Sequence, residues 1–300
     1  MTKMQYTISI AFSPLDQLIE IAKAAEELGF DNIALPDSIF YFEEQSVDYP
    51  YTADGKRMFD ENSPWVDPLI LAGALGGAVT SKLRFYTNVM KLGSRNPLLL
   101  ARQVGSVANL TNNRFGFGVG GIGWAPEEFE WCGGVPYAKR GKRVDEMIDI
   151  IKLVLAGGMV EHHGEFYDFD RLQMSPAPSA PVPFYVGGHT DVALRRAVRI
   201  GDGWTSAMMT CDELAETIST LKKLLAEAGR ADDPPFEYQA VCIDKFGVDG
   251  HRDLVKAGVT DYIGIPWVFE GLPFDAPVDK KIDSMKRFAE TYIHSGWQEQ

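Results

Sequence analysis

Cysteine is scarce in this chain. Three occur, Cys132, Cys211 and Cys242, widely spaced and with no C-x-x-C among them. An odd, scattered set makes no disulfide framework, and it fits a reducing, cytoplasmic setting. Positive charge is also short. There are 29 Lys and Arg against 42 Asp and Glu, a net charge of -13, with no long basic run. Sequence-blind nucleic-acid binding and docking on anionic lipid both need clustered cations, so neither partner is expected. No apolar run approaches the roughly 20 residues of a membrane span. The opening stretch reads as a strand, YTISIAF, and not as a signal peptide. Walker A and G-x-S-x-G patterns are missing. His162-His163 has no carboxylate or cysteine at metal-ligand spacing and reads as a surface turn, so no metal is expected.

What the chain does have is alternation. Short β-rich segments are followed by amphipathic helical ones along most of its 300 residues. In SPLDQLIEIAKAAEELG, Ser13 is placed as N-cap, Pro14 at the first helical position, and Gly29 at the far end. Asn96 and Pro97 start a second helix in the same way. Eight strands and eight helices alternate in this reading, which implies a parallel sheet with helical crossovers. The expected architecture is an α/β fold, a (β/α)8 TIM barrel. It is read as one domain over residues 1–300, with insertions at about 38–65 and 157–182. Two stacked doubly wound domains are the alternative, and no linker near the middle favours them. The first insertion, Ser38 to Trp65, is rich in aromatics and reads as a folded lid over an apolar substrate; core packing explains some of the same rings.

The stretch RFGFGVGGIGW contains G-x-G-x-x-G in two overlapping registers, with five glycines between Gly116 and Gly123. A dinucleotide fingerprint follows the first strand of its unit and opens that unit's helix. These glycines follow the fourth strand, and the main helix begins only near Lys139. The reading is therefore a barrel strand whose C-terminal end lets a flat ligand approach the backbone; a tight turn without ligand is the plainer alternative. A second glycine pair, Gly187-Gly188, ends a strand just before a helix starting near Thr190. Amides at that end favour a phosphate, and His189 adds a possible donor. The plainer alternative is a βα turn capped by Thr190, with Arg195, Arg196 and Arg199 solvated.

These residues carry a resemblance. The segments NPLLLARQVGSVANLTNNRFGFGVGGIGWAPEEFEWCGGVPYAKRGKRVDEMIDIIKLVL, GEFYDFDRLQMSPAP and VPFYVGGHTDVALRRAVRIGDGW, with LPDS and DPLILAGAL, cover most of residues 1–206. In their order and spacing the chain resembles the luciferase-like flavin and deazaflavin oxidoreductases, most closely the branch that uses coenzyme F420. The resemblance implies a barrel with the ring at the C-terminal mouth, a small-molecule substrate and a homodimer. It places Asn88-Val89 at a non-proline cis peptide and Gly120-Gly121 at the ring edge. It puts Gly187, Gly188, His189 and Thr190 at the phosphate, and Asp37 near the polar edge of the ring.

The resemblance breaks at two acid–base positions. Relatives often have His where this chain has Ser38, and a sugar-phosphate branch has Glu where it has Trp124. Asp37, Trp124 and Glu128 are the catalytic positions carried over, with Glu127 and Tyr51 as further acid–base candidates. Glu128 reads equally as a carboxylate at a helix start, and Tyr51 as lid packing. The implied function is hydride transfer between F420 and a small organic substrate. An FMN-dependent monooxygenase is the first alternative, a non-catalytic flavin-binding protein the second, and an NAD dehydrogenase the third.

Overall fold

The computed structural model describes residues 3–52, 54–79, 82–120, 123–133, 137–231 and 235–299. In its first half come β1 (Gln5–Ser9), α1 (Leu18–Glu27), β2 (Asn32–Leu35), α2 (Pro68–Ala78), β3 (Arg84–Thr87), α3 (Pro97–Leu110), β4 (Phe115–Val119), α4 (Pro126–Trp131) and α5 (Arg140–Leu155). A hairpin of β5 (Val160–His163) and β6 (Asp168–Leu172) follows, then β7 (Phe184–Gly187), α6 (Asp191–Ile200), β8 (Gly203–Met209) and α7 (Cys211–Glu227). The chain ends with β9 (Glu237–Cys242), α8 (Gly247–Ala257), β10 (Asp261–Gly264), α9 (Pro266–Phe269) and α10 (Val278–Phe288). Eight of the strands close into a parallel barrel in the order β1-β10-β9-β8-β7-β4-β3-β2, the TIM-barrel architecture expected. The β5–β6 hairpin is antiparallel and lies outside that barrel. Among the described residues no helix is long and apolar enough to cross a membrane.

Local chemistry sets the helix starts. Asn96 Oδ1 accepts from the Leu98 and Leu99 amides at 2.9 and 3.2 Å, with Pro97 next in line. Asp67 does the same for α2 ahead of Pro68. Thr210 and Glu213 form a reciprocal capping box on α7. Ser13 departs from its expected role. A single 3-10 turn at Leu15–Gln17 precedes α1, so the regular helix starts only at Leu18 and the Ser13 hydroxyl is buried without a partner. His162 and His163 are also not a turn. They lie on β5, where His162 pairs with Glu146 and His163 with Asp168.

Strand register decides which residues point into the barrel. Thr7, Asn32, Tyr86, Gly116, Tyr185, Gly203, Gln239 and Asp261 share inward positions with their neighbours one or two strands away. The lower interior is polar, unlike the branched apolar filling typical of this fold. Asp261 accepts from Thr7 Oγ1 at 2.7 Å, Tyr86 OH at 2.9 Å and Asn32 Nδ2 at 3.3 Å. Burial nonetheless pushes its carboxyl up to about 7. Above this layer Ala34, Tyr86, Tyr185 and Ile263 pack together.

Large rings fit inside because neighbouring strands carry glycine. A Cβ on Gly116 would sit 2.5 Å from the Tyr185 ring, and one on Gly203 would sit 2.9 Å from it. A Cβ on Gly118 would lie 1.7 Å from the Thr87 carbonyl oxygen. Two of the glycines read as ligand-facing therefore make room for the protein's own atoms.

The outer seam between β1 and β10 is closed by aromatics. His251 on α8 stacks on Tyr292 at 4.2 Å and packs on Tyr262 at 4.5 Å, and its Nδ1 bonds Tyr6 OH at 3.2 Å. Burial lowers its pKa from 6.5 to about 4. The unfolded chain thus binds a proton below pH 6.5 that the folded one refuses until about pH 4, so acid removes stability across that window. Asp261, whose folded pKa is raised, acts in the opposite sense and loses stability as pH rises towards 7. Comparison at each pH isolates the histidine. Between pH 7 and pH 5, urea denaturation should show wild type losing about 2 kcal/mol relative to His251→Phe; parallel curves for the two proteins would refute this.

Candidate active site

The C-terminal ends of the barrel strands form the mouth. Its floor includes Asn88 after β3, whose Nδ2 donates to Thr205 Oγ1 of β8 at 2.8 Å. The Asn88–Val89 peptide is cis. Val89 fills the space that Gly120 and Gly187 leave open: a Cβ on Gly120 would lie 2.0 Å from Val89 Cγ2, and one on Gly187 3.2 Å from Cγ1. Ser9, Asn88, Val89, Gly120, Gly187 and Val241 are all half-buried, so each floor residue keeps some exposure. Gly121 lies outside the described residues.

The acidic residues near this floor are bound to the protein's own cations. Asp37, just past β2, takes a two-point contact from Arg95 at 2.8 and 2.9 Å and the Lys91 amide at 2.9 Å. Glu128 on α4 is buried, paired with Lys91 Nζ, and accepts from the Ile39 amide at 2.8 Å. Its neighbour Glu127 accepts from the Ser46 amide at 2.8 Å. Asp37 and Glu128 thus fasten the segment after β2 to the ends of β3 and α4, an arrangement that holds a lid in place. Arg95 and Lys91 were not legible as partners in the sequence. The available signal was a carboxylate at a buried strand end, which requires a cation or several donors.

Trp124 belongs to an aromatic chain over the mouth. Its ring meets Tyr49 edge-on at 5.2 Å and Phe42 at 5.6 Å. Tyr49 meets Phe59, which packs on Trp65 at 5.3 Å, and Trp65 packs on Phe12 at 5.3 Å. Phe12, just beyond β1, holds a φ of 59°, a strained value for a bulky residue. Trp65 Nε1 and Glu127 Oε2 are buried in this region without a hydrogen-bond partner. Tyr51 packs edge-on against Tyr49 and is exposed.

The turn from β7 into α6 carries the other predicted residues. Gly188 has φ 122°, a conformation that favours glycine, and its carbonyl accepts from Trp204 Nε1 at 2.8 Å. Thr190 Oγ1 caps the Ala193 amide at 3.3 Å. The amides of the two residues before Ala193 have no partner within an α-helix. His189 Nε2 accepts from the Ala207 amide at 3.0 Å, which leaves the proton on Nδ1, and partial burial lowers its pKa. The arginines are taken up by carboxylates. Arg195 pairs with Asp191, Arg196 with Asp145, and Arg199 with Asp145 and Asp149.

Comparison with known proteins gives this mouth a context. The family model described as luciferase-like monooxygenase matches residues 2–244. An uncharacterized protein of Mycobacterium tuberculosis (strain ATCC 25618 / H37Rv) is 44% identical over 97% of this chain and 99% of its own length. An F420-dependent glucose-6-phosphate dehydrogenase of Nakamurella multipartita is 29% identical over 91% of this chain and 80% of its own. The crystal structure of monooxygenase RslO1 from Streptomyces bottropensis superposes with a TM-score of 0.74 at 16% identity, covering 97% of this chain and 99% of that one.

The buried Glu128–Lys91 pair gives a direct test of anchoring. Glu128→Gln leaves a largely buried ammonium without its partner, and urea denaturation should show a loss of about 3 kcal/mol. Adding Lys91→Met should restore most of it. A single variant as stable as wild type would remove the anchor from this description.

Proposed function

This chain belongs to the luciferase-like monooxygenase family, and from that premise we propose an oxidoreductase that takes coenzyme F420 at the barrel mouth and exchanges a hydride with a small organic substrate. The observation that carries the proposal is the Gly187-Gly188 turn. It opens onto the unpaired amides at the start of α6, beside a floor whose residues keep some exposure. The residues fit such a group. Gly188, whose missing Cβ makes room for that of Ala193, turns the chain into α6, a neutral His189 offers Nδ1–H, and Thr190 leaves the first α6 amides free by capping only that of Ala193. The F420-dependent relative supports deazaflavin over flavin.

When bound, a deazaflavin supplies or accepts a hydride at C5, and the redox chemistry is its own. The chain positions and shields. Asn88 and Thr205 brace the floor, and Val89 offers an apolar surface between Gly120 and Gly187. Trp124 and its aromatic neighbours keep water out from the α4 side. Asp37 and Glu128 position the lid. With both Asp37 oxygens on Arg95 and Glu128 on Lys91, neither is assigned proton transfer.

Two tests follow. Apo-protein titrated with F420 and with FMN should show saturable fluorescence changes, with F420 bound at least tenfold more tightly and weakened by Gly188→Ala. Tight FMN binding with oxygen uptake would make the protein a flavin monooxygenase instead.

The working unit in this reading is a homodimer through the outer face of α2. Ile70, Ala74 and Gly77 are exposed there with no charged residue anywhere in the helix, and exposed Leu99 of α3 lies on the helix packed beside it. Sedimentation velocity should give a dimer that Ile70→Glu converts to monomer. A monomeric wild type would sink the assignment.

A further inference from the structure

We infer that the substrate of this mouth is an uncharged, flat, largely apolar molecule, an aromatic or polycyclic ketone in character. The inference rests on the redox reading above and assigns its substrate class. Two walls of opposite origin carry it. One is the aromatic chain from the loops after β1, β2 and β4, where Trp124, Tyr49 and Phe42 are joined ring to ring. The other lies in the segments at the ends of β8, β9 and β10. Met208, Ile243, Phe246 and Phe269 are exposed there, Ile243 at 48% and Phe246 at 57%, and Phe246 meets Phe269 at 5.6 Å. Exposed apolar side chains gathered at an active-site rim mark a surface that a ligand covers.

Charge argues the same way. A phosphorylated or carboxylated substrate needs an available cation near the reacting end. Lys91 and Arg95, which follow β3, are paired with Glu128 and Asp37. Lys245, which follows β9, pairs with Asp253 at 3.2 Å. Arg57 in the lid lies over the Tyr41 ring at 4.1 Å and donates to the carbonyls of Phe42 and Glu43. His189 is held neutral by partial burial. An anion brought against these walls would therefore lose its water with none of these cations free to replace it. A flat neutral ring loses little hydration and gains stacking on Trp124.

Equilibrium dialysis with 2-acetonaphthone and 2-naphthoate tests the assignment on one protein sample, with and without F420 or FMN. The ketone should bind at least tenfold more tightly than the carboxylate. Trp124→Ala should weaken it about fivefold, and Phe246→Ser about threefold, with the far-ultraviolet circular dichroism of both variants unchanged. The substrate class is overturned by equal or tighter binding of the naphthoate, by no saturable ketone binding, or by ketone affinity that neither variant moves. Ketone preference in a protein that binds neither F420 nor FMN would keep the apolar mouth and overturn the redox reading.

Discussion

The barrel depends on β4 giving up its side chains. A closed eight-stranded barrel has room for little more than its own inward residues, and this one places two tyrosine rings and a polar network around Asp261 there. Tyr185 occupies the volume that Gly116 and Gly203 leave. The Thr87 carbonyl passes Gly118 where any Cβ would collide with backbone, which cannot yield as a flexible side chain can. Val89 then rests in the space beside Gly120 and Gly187, so the same absence that admits the interior rings also shapes the floor of the mouth. Interior packing and site geometry are therefore one constraint.

A second constraint acts above the floor. The long segment between β2 and α2 has little regular hydrogen bonding of its own, so something must hold it down. Ion pairs do this from below: Asp37 with Arg95, and Glu128 with Lys91 while the same carboxylate accepts the Ile39 amide. Ring contacts do it from the side, through Trp124, Phe42 and Tyr49. Pairing the charges to fix the lid has an electrical consequence. The cations nearest the floor are neutralised before any substrate arrives, which couples the rigidity of the lid to the polarity of what it can cover.

Element type was readable because each signal was local. Asn96-Pro97 fixes a helix start by two adjacent residues, and the alternation of apolar segments fixes the parallel barrel. Ser13 misled because the same chemistry can precede a 3-10 turn, where its hydroxyl finds no amide to cap. His162 and His163 misled because their carboxylate partners are not at metal-ligand spacing: Glu146 is on another element and Asp168 is across the hairpin. At the site, the Asn88–Val89 position and the Gly187-Gly188 turn were visible through resemblance. The ion pairs were not, since Asp37 and Arg95 are 58 residues apart and only folding joins them.

The glycine stretch shows how spacing can settle between two readings of one motif. A phosphate loop uses its glycines in a turn, where period has no meaning, and needs a helix immediately afterwards. Gly116, Gly118 and Gly120 recur every second residue, which is the period of one face of a strand. Register puts that face inside the barrel, against Tyr185, Thr87 and Val89 in turn. The glycines thus shape the floor only through Val89, whereas Gly188, with its positive φ and a helix directly behind it, is a turn glycine. The overlapping G-x-G-x-x-G pattern thus combines an inward-facing strand with Gly123, which holds a positive φ, and neither half needs a dinucleotide to explain it.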